Sequence, residues 1–410
     1  MIIQDSSPHG NCQEGTVAAP GTLPLPDIDA PSYPALHALS RGRDVDVAVV
    51  DTGSAGPGVV GDRDFCVLHG SVVTSVLRAI APEAKVHSFR HNAVASRAEG
   101  TVEDLVRAID RALKARVKVI NISMVACEDT AELREAIGRA EKAGVLVVAS
   151  TGNTGQCPEG APTFPSSLDS VLAVGAVAPR AQELVAAGAG SSAGAAPDAA
   201  AGTGTGASAA KTNSADQGRV PAQYSAPTHW VDLFAPGGPV EGQVDVRGKV
   251  HTIVGNPDPF EGTSFAAPVV SGTAALVWQI VPHLSVQEVR ELLTSTASPG
   301  ASGPGLGKQM LVVNPAAAVD KALDLRDARI RVGDNGSDGN NGSIGSDGST
   351  GAHYELQTVS TQPHQPGAAD YSVPVVLSLV LALGIIATVV CRAFSADSRP
   401  PSGSEATRAN

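Results

Sequence analysis

Three short stretches carry residue types that together could activate a nucleophile. They are Asp51 in Val-Val-Asp-Thr-Gly, His69 in His-Gly, and Ser264 in Gly-Thr-Ser-Phe-Ala-Ala-Pro. A serine hydroxyl is a weak nucleophile at neutral pH until a base takes its proton and donors hold the oxyanion that follows. A histidine can take that proton, and a carboxylate can fix the imidazole tautomer and stabilise the imidazolium. Ser264 stands just ahead of the apolar run Val269–Ile280, which reads as a buried helix. Backbone N–H groups at the start of such a helix lack acceptors and favour negative charge. Gly262 lets another backbone approach, Ala266 and Ala267 keep the first turn narrow, and Pro268 is tolerated early in a helix. Taken alone, the serine would equally suit an ordinary Ser/Thr N-cap.

The surrounding elements have to bring these residues together. Strands are expected at 46–50, 84–89, 117–122, 145–149 and 171–176, with helices near 70–80, 102–115 and 129–143. This alternation predicts an α/β fold, a mainly parallel sheet with helices on both faces. In such sheets sites are built at the C-terminal strand ends, where Asp51, Ser123 and Asn153 fall. Thr101 can cap the helix over 102–115. Ser285-Val-Gln-Glu288 is a capping box for a helix over 286–296, and a last helix is expected near 315–325.

In this order the three motifs resemble the active-site motifs of the subtilisin-like serine proteases. A fourth stretch, Val145-Leu-Val-Val-Ala-Ser-Thr-Gly-Asn153, is similar to the family strand that ends in the oxyanion-hole asparagine. The resemblance implies a subtilisin-like three-layer domain and hydrolysis of protein or peptide substrates. Ser264 would be nucleophile, His69 general base and then acid, Asp51 its orienting carboxylate, and Asn153 an oxyanion donor with the Ser264 N–H. Ile120-Asn-Ile-Ser-Met124 resembles the strand that pairs with substrate backbone, making Ser123, Met124 and Val125 the expected binding edge. No metal or organic cofactor is required. The sequence departs from the family in a short connection from Asp51 to His69, and in Ser71 where threonine is usual.

The chain has 410 residues, 42% hydrophobic and 17% charged, a globular composition. Its net charge of −12 argues against nucleic acid as a partner. Residues 1–43 form a Pro- and Gly-rich N-terminal extension without the pattern of a signal peptide, which conflicts with the membrane span below; either the translation start lies upstream of Met1, the expected case, or the C-terminal segment itself directs insertion. The catalytic domain is expected over 44–325, interrupted by an Ala/Gly-rich flexible insertion at 181–222. From 326 to 372 follows a stalk, with glycine at every third position from Gly333 to Gly351. Val373–Cys391 is apolar over about 28 Å as a helix, enough to cross a bilayer. Arg392, Arg399 and Arg408 in the tail, 392–410, predict a cytoplasmic C-terminus and an extracytoplasmic catalytic domain.

Outside the cytoplasm, Cys12, Cys66, Cys127 and Cys157 would form two disulfides, and three connectivities are open. The expected pairs are Cys12–Cys66, tying the extension beside the histidine loop, and Cys127–Cys157, joining the loops after two neighbouring strands. The anchor, the stalk, the extension and the positions of Cys66 and Cys127 resemble the mycosins, membrane-anchored subtilases of type VII secretion systems. That resemblance implies the membrane and a type VII secretion membrane complex as partners. Two other readings remain open: a scaffold in a secretion complex with little turnover, and an anchored protease unrelated to type VII secretion.

Overall fold

The structure is a computed structural model that describes residues 15–23, 26, 33–92, 100–178, 219–300 and 309–334. Cys12, most of the insertion, the stalk from 335 onward, the expected membrane span 373–391 and the tail lie outside the described residues.

In chain order the strands are β1 (Gly15–Ala18), β2 (Asp46–Asp51), β3 (Val60–Gly61), β4 (Lys85–Arg90), β5 (Val119–Ile122) and β6 (Leu146–Ser150). β7 (Val171–Val177), β8 (Leu233–Pro236), β9 (Gly242–Val246), β10 (Lys249–Gly255), β11 (Ser298–Pro299) and β12 (Leu311–Val312) follow. The helices are α1 (Tyr33–Leu39), α2 (His69–Ile80), α3 (Val102–Lys114), α4 (Ala131–Lys142), α5 (Thr263–Ile280), α6 (Val286–Ser295) and α7 (Pro315–Asp334).

Side-chain alternation along the central strands sorts their residues between two cores. Val47, Val49, Val119, Leu146 and Val148 pack on the face covered by α2 and α5, with Val73, Leu77, Val270 and Leu276. Ala48, Val50, Ile120, Ile122 and Val147 point to the other face, where Leu105 and Ile109 of α3 meet Leu133 and Ile137 of α4. Strands buried on both faces read as continuous apolar runs, which is why β2, β5, β6 and β7 are visible in the sequence. The large sheet runs β11-β12-β8-β7-β6-β5-β2-β4-β3. It is parallel throughout except for β11 against β12.

Local signals set the helix ends. Thr101 and Asp104 form a capping box on α3, and Ser285 and Glu288 form one on α6. The helix expected from 129 starts after Thr130, whose side chain accepts from the Leu133 N–H. α5 is buried at every position from Thr263 to Ile280 except Ser264 and Gln279. A helix apolar all round belongs in a core, so its one break at the N-terminus marks the cleft.

Three parts differ from the sequence expectation. α7 continues past 325 to Asp334, into residues read as stalk. Its charged side chains suit a solvent-facing surface, and Arg329 pairs with Glu288 of α6 at 3.5 Å. The expected insertion ends earlier than 222, because Ala178 N donates to Val220 O and Ala222 N to Ala176 O, and Ala222 is buried. The N-terminal extension contributes β1, which with β10 and β9 makes a three-stranded antiparallel sheet.

Candidate active site

Asp51 is the last residue of β2, held between β4 and β5, and its carboxylate is fully buried. Oδ1 accepts from the Thr52 N–H at 2.7 Å and lies 3.2 Å from Thr52 Oγ1. The Gly70 N–H donates to that same threonine oxygen at 3.1 Å, tying the start of α2 to the end of β2. His69 opens α2 and sets Nδ1 2.8 Å from Asp51 Oδ1 and Nε2 2.9 Å from Ser264 Oγ. Its side chain is 24% exposed against 0% for Asp51, so the pair is dry at one end and open to the cleft at the other.

Burial alone would lower the pKa of His69, but the charge of Asp51 and its hydrogen bond outweigh it, and the net shift is upward from 6.5. For Asp51, burial pushes the carboxyl up. The His69 charge and hydrogen bond, the Thr52 N–H and the nearby His91 overcome this, and the net shift is downward. The arrangement favours a carboxylate beside an imidazolium, the state formed once the histidine has taken a proton.

Ser264 lies in the first turn of α5. The N-cap of α5 is Gly262, and no side chain caps the helix. The serine hydroxyl is therefore committed to His69 rather than to capping. Its backbone is fixed from the sheet side. Ser271 Oγ donates to Asn121 Oδ1 at 2.9 Å, Asn121 Nδ2 donates to Ser123 Oγ at 2.9 Å, and Ser123 Oγ donates to Ser264 O at 2.8 Å. On the other side the Phe265 ring packs against His69, with centroids 5.0 Å apart.

Asn153 stands on the loop after β6. Its Oδ1 accepts from the Thr263 N–H and from Thr263 Oγ1, both at 3.0 Å, which leaves the amide nitrogen free to donate into the cleft. A Cβ at Gly262 would come within 3.1 Å of Asn153 Nδ2 and 3.2 Å of Ser264 Oγ, so only glycine leaves that space open. The Ser264 N–H, in the first turn of α5, has no intrahelical acceptor. Two donors thus flank the hydroxyl, the geometry an oxyanion requires.

His69, Asn153 and Ser264 open into one cleft of about 760 Å³, which Met124 and Val125 also line. Ser123 lines it as well, but is 5% exposed, and its hydroxyl serves the Ser264 carbonyl. Cys127 and Cys157 are joined and cross-link the loops after β5 and β6. Cys66 is also disulfide-bonded, and the pairing expected with Cys12 falls outside the described residues. Ser71, in place of the usual threonine, accepts from the Ala55 N–H at 2.9 Å, so its hydroxyl is used.

Some supporting residues were not singled out from the sequence. Thr52 and Thr263 sit inside motifs, and their neighbours were the signal. Asn121 sits inside the stretch Ile120–Met124, but nothing there marked its own part, and His91 had no signal. His91 is buried, and both its N–H and its Nδ1 lie 2.9 Å from Asp51 O.

A buried carboxylate, an imidazole and a hydroxyl in hydrogen-bonded series beside two oxyanion donors are the equipment of a serine hydrolase. Comparison with known proteins narrows the class. The profile of the subtilase family, peptidase S8, matches residues 66–345, and the chain belongs to that family of serine proteases. Asp51 lies ahead of the matched span and is joined to it by the geometry above. Mycosin-4 of Mycobacterium tuberculosis is 30% identical over 308 residues, 63% of this chain and 61% of that protein. The chain therefore spans about three fifths of that relative's length. Subtilisin DY of Bacillus licheniformis is 26% identical over 68% of this chain and 92% of its own. Among solved structures, the serine protease MycP1, described as an essential component of the type VII (ESX-1) secretion system, shares the fold. It aligns with a TM-score of 0.54 at 23% identity, covering 75% of this chain and 92% of that one.

Proposed function

We propose that this chain is a membrane-anchored, extracytoplasmic serine endopeptidase that cleaves peptide bonds by acyl transfer and works beside a type VII secretion membrane complex. The observation that carries the reading is the unbroken series Asp51 Oδ1, His69, Ser264 Oγ, with contacts of 2.8 and 2.9 Å, beside the Asn153 amide.

His69 Nε2 takes the Ser264 proton as Oγ attacks the scissile carbonyl. The oxyanion is held by Asn153 Nδ2 and the Ser264 N–H. The imidazolium, stabilised by Asp51, then protonates the leaving amine. Water enters on the same side, gives its proton to His69, and releases the acyl group from Ser264. Asp51 acts as the carboxylate that its lowered pKa favours, and the raised pKa of His69 stabilises the imidazolium formed once it has taken the serine proton.

The placement of the catalytic domain rests on the sequence, with 326–372 as stalk, 373–391 as membrane span and 392–410 as cytoplasmic tail. The secretion role is supported by similarity to Mycosin-4 and by the fold shared with MycP1. The test replaces the chromosomal copy with Ser264→Ala. Loss of peptide hydrolysis and of processing of a secreted protein is expected. Normal processing and secretion in the variant would leave the domain as a scaffold.

A further inference from the structure

Glu261 is one residue from Gly262, whose Cα faces both Asn153 Nδ2 and Ser264 Oγ. It lines the same cleft and is exposed to it. The ionisable side chains among the described lining residues are His69, His91, Glu128 and Glu261, and none is Lys or Arg. No cation pairs with Glu261 among the described residues. Partial burial, and then the neighbouring Asp258, raise its carboxyl pKa, the direction expected where no cation stands beside it among the described residues.

Its side of the cleft follows from the packing. On the protease reading, the acyl half of a substrate runs along Met124 and Val125, which line the cleft beside Ser123, the residue that holds the Ser264 carbonyl. Phe265 sits on the other side, against His69, and Phe260 packs on Phe265 at 6.3 Å between centroids. Glu261 follows Phe260 in the chain, and on the protease reading this flank receives the departing amine.

Building on the protease reading, we propose that Glu261 is a specificity-determining residue that selects a basic side chain, Arg or Lys, within two residues after the scissile bond. A carboxylate with no cation beside it among the described residues gains from a guanidinium or ammonium brought by the substrate. It disfavours an acidic residue at the same place. Because Glu261 is exposed, the effect is moderate. An Arg peptide should exceed its norleucine counterpart in kcat/KM by about three- to tenfold.

The test uses the full chain as wild type, Glu261→Gln, Glu261→Lys and Ser264→Ala. A parent peptide cleaved by the wild type and not by Ser264→Ala is first drawn from a mixed peptide pool. Quenched fluorescent versions then carry Arg, norleucine or Glu at the first or second position after the cut. The expected order for the wild type is Arg, norleucine, Glu. The preference should vanish in Glu261→Gln and reverse in Glu261→Lys, with Ser264 still labelled by a fluorophosphonate in both, which shows an assembled site. Ser264-dependent cleavage that ignores the substituted residue, or an Arg preference that survives in Glu261→Gln, overturns the assignment and leaves the protease reading intact. Absence of any Ser264-dependent cleavage overturns both.

Discussion

Asp51, His69 and Ser264 hang from β2, α2 and α5, elements packed into the core of the domain, whereas Asn153, Met124, Val125 and Glu128 stand on the loops that leave β5 and β6. The first group is fixed by the two cores of the domain and by buried hydrogen bonds through Thr52, Ser123 and Asn121. The second is fixed by a disulfide, by Thr263 and by Gln156, whose Oε1 accepts from the Asn153 N–H at 2.6 Å. Proton transfer tolerates little displacement, so its groups belong on the rigid side. Substrate contact needs an open wall, and loops supply it.

If this division holds, substitutions in the core-held group should cost most. Ser264→Ala or His69→Ala should lower kcat by about a million-fold, the size such deletions have in other serine proteases of this family, with Tm nearly unchanged. Steady-state kinetics with a thermal melt checks both. Asp51→Asn should lower kcat about 10⁴-fold by losing the tautomer-fixing acceptor. Since Asp51 is what raises the His69 pKa, the acid limb of kcat/KM should lie above 6.5 in the wild type and fall below that position in the variant. A pH–rate profile that does not move would place the controlling charge elsewhere.

The loop-held group should yield smaller effects. Asn153→Ala should cost about 10²–10³ in kcat with KM little changed. Thr263→Val, which removes one of the two bonds that aim the Asn153 amide, should cost about tenfold. The double variant should be no slower than Asn153→Ala, because both act on one donor. Cys127→Ser with Cys157→Ser should change kcat less than tenfold but lower stability by about 2–4 kcal/mol, read from denaturant unfolding.

The same division explains what the sequence made legible. β2 announces Asp51 because a β-branched run buried on both faces ends at a carboxylate, and α5 announces Ser264 because an apolar run buried all round begins there. Thr101 and Ser285 mark helix starts through local capping, which needs no tertiary partner. The β9–β10 hairpin escaped notice. Its two-residue turn, Arg247-Gly248, has both φ values positive, at 54° and 82°, but carries arginine where asparagine or aspartate usually signals the turn. β1 is invisible locally because its partner, β10, lies at the far end of the domain sequence. His91 and Asn121 escaped for the same reason, since their partners are distant in sequence. Ser123, Met124 and Val125 line the cleft, but the part of Ser123 in holding the Ser264 carbonyl is a tertiary fact.

The most direct measurement is covalent labelling of the full chain with a fluorophosphonate, the label located by mass spectrometry in the wild type and in Ser264→Ala, Asp51→Asn and Asn153→Ala. The account predicts a single labelled residue, Ser264, with labelling abolished in the first variant and slowed in the other two. Labelling at another serine, or labelling of Ser264 at the same rate in Asp51→Asn, would contradict it.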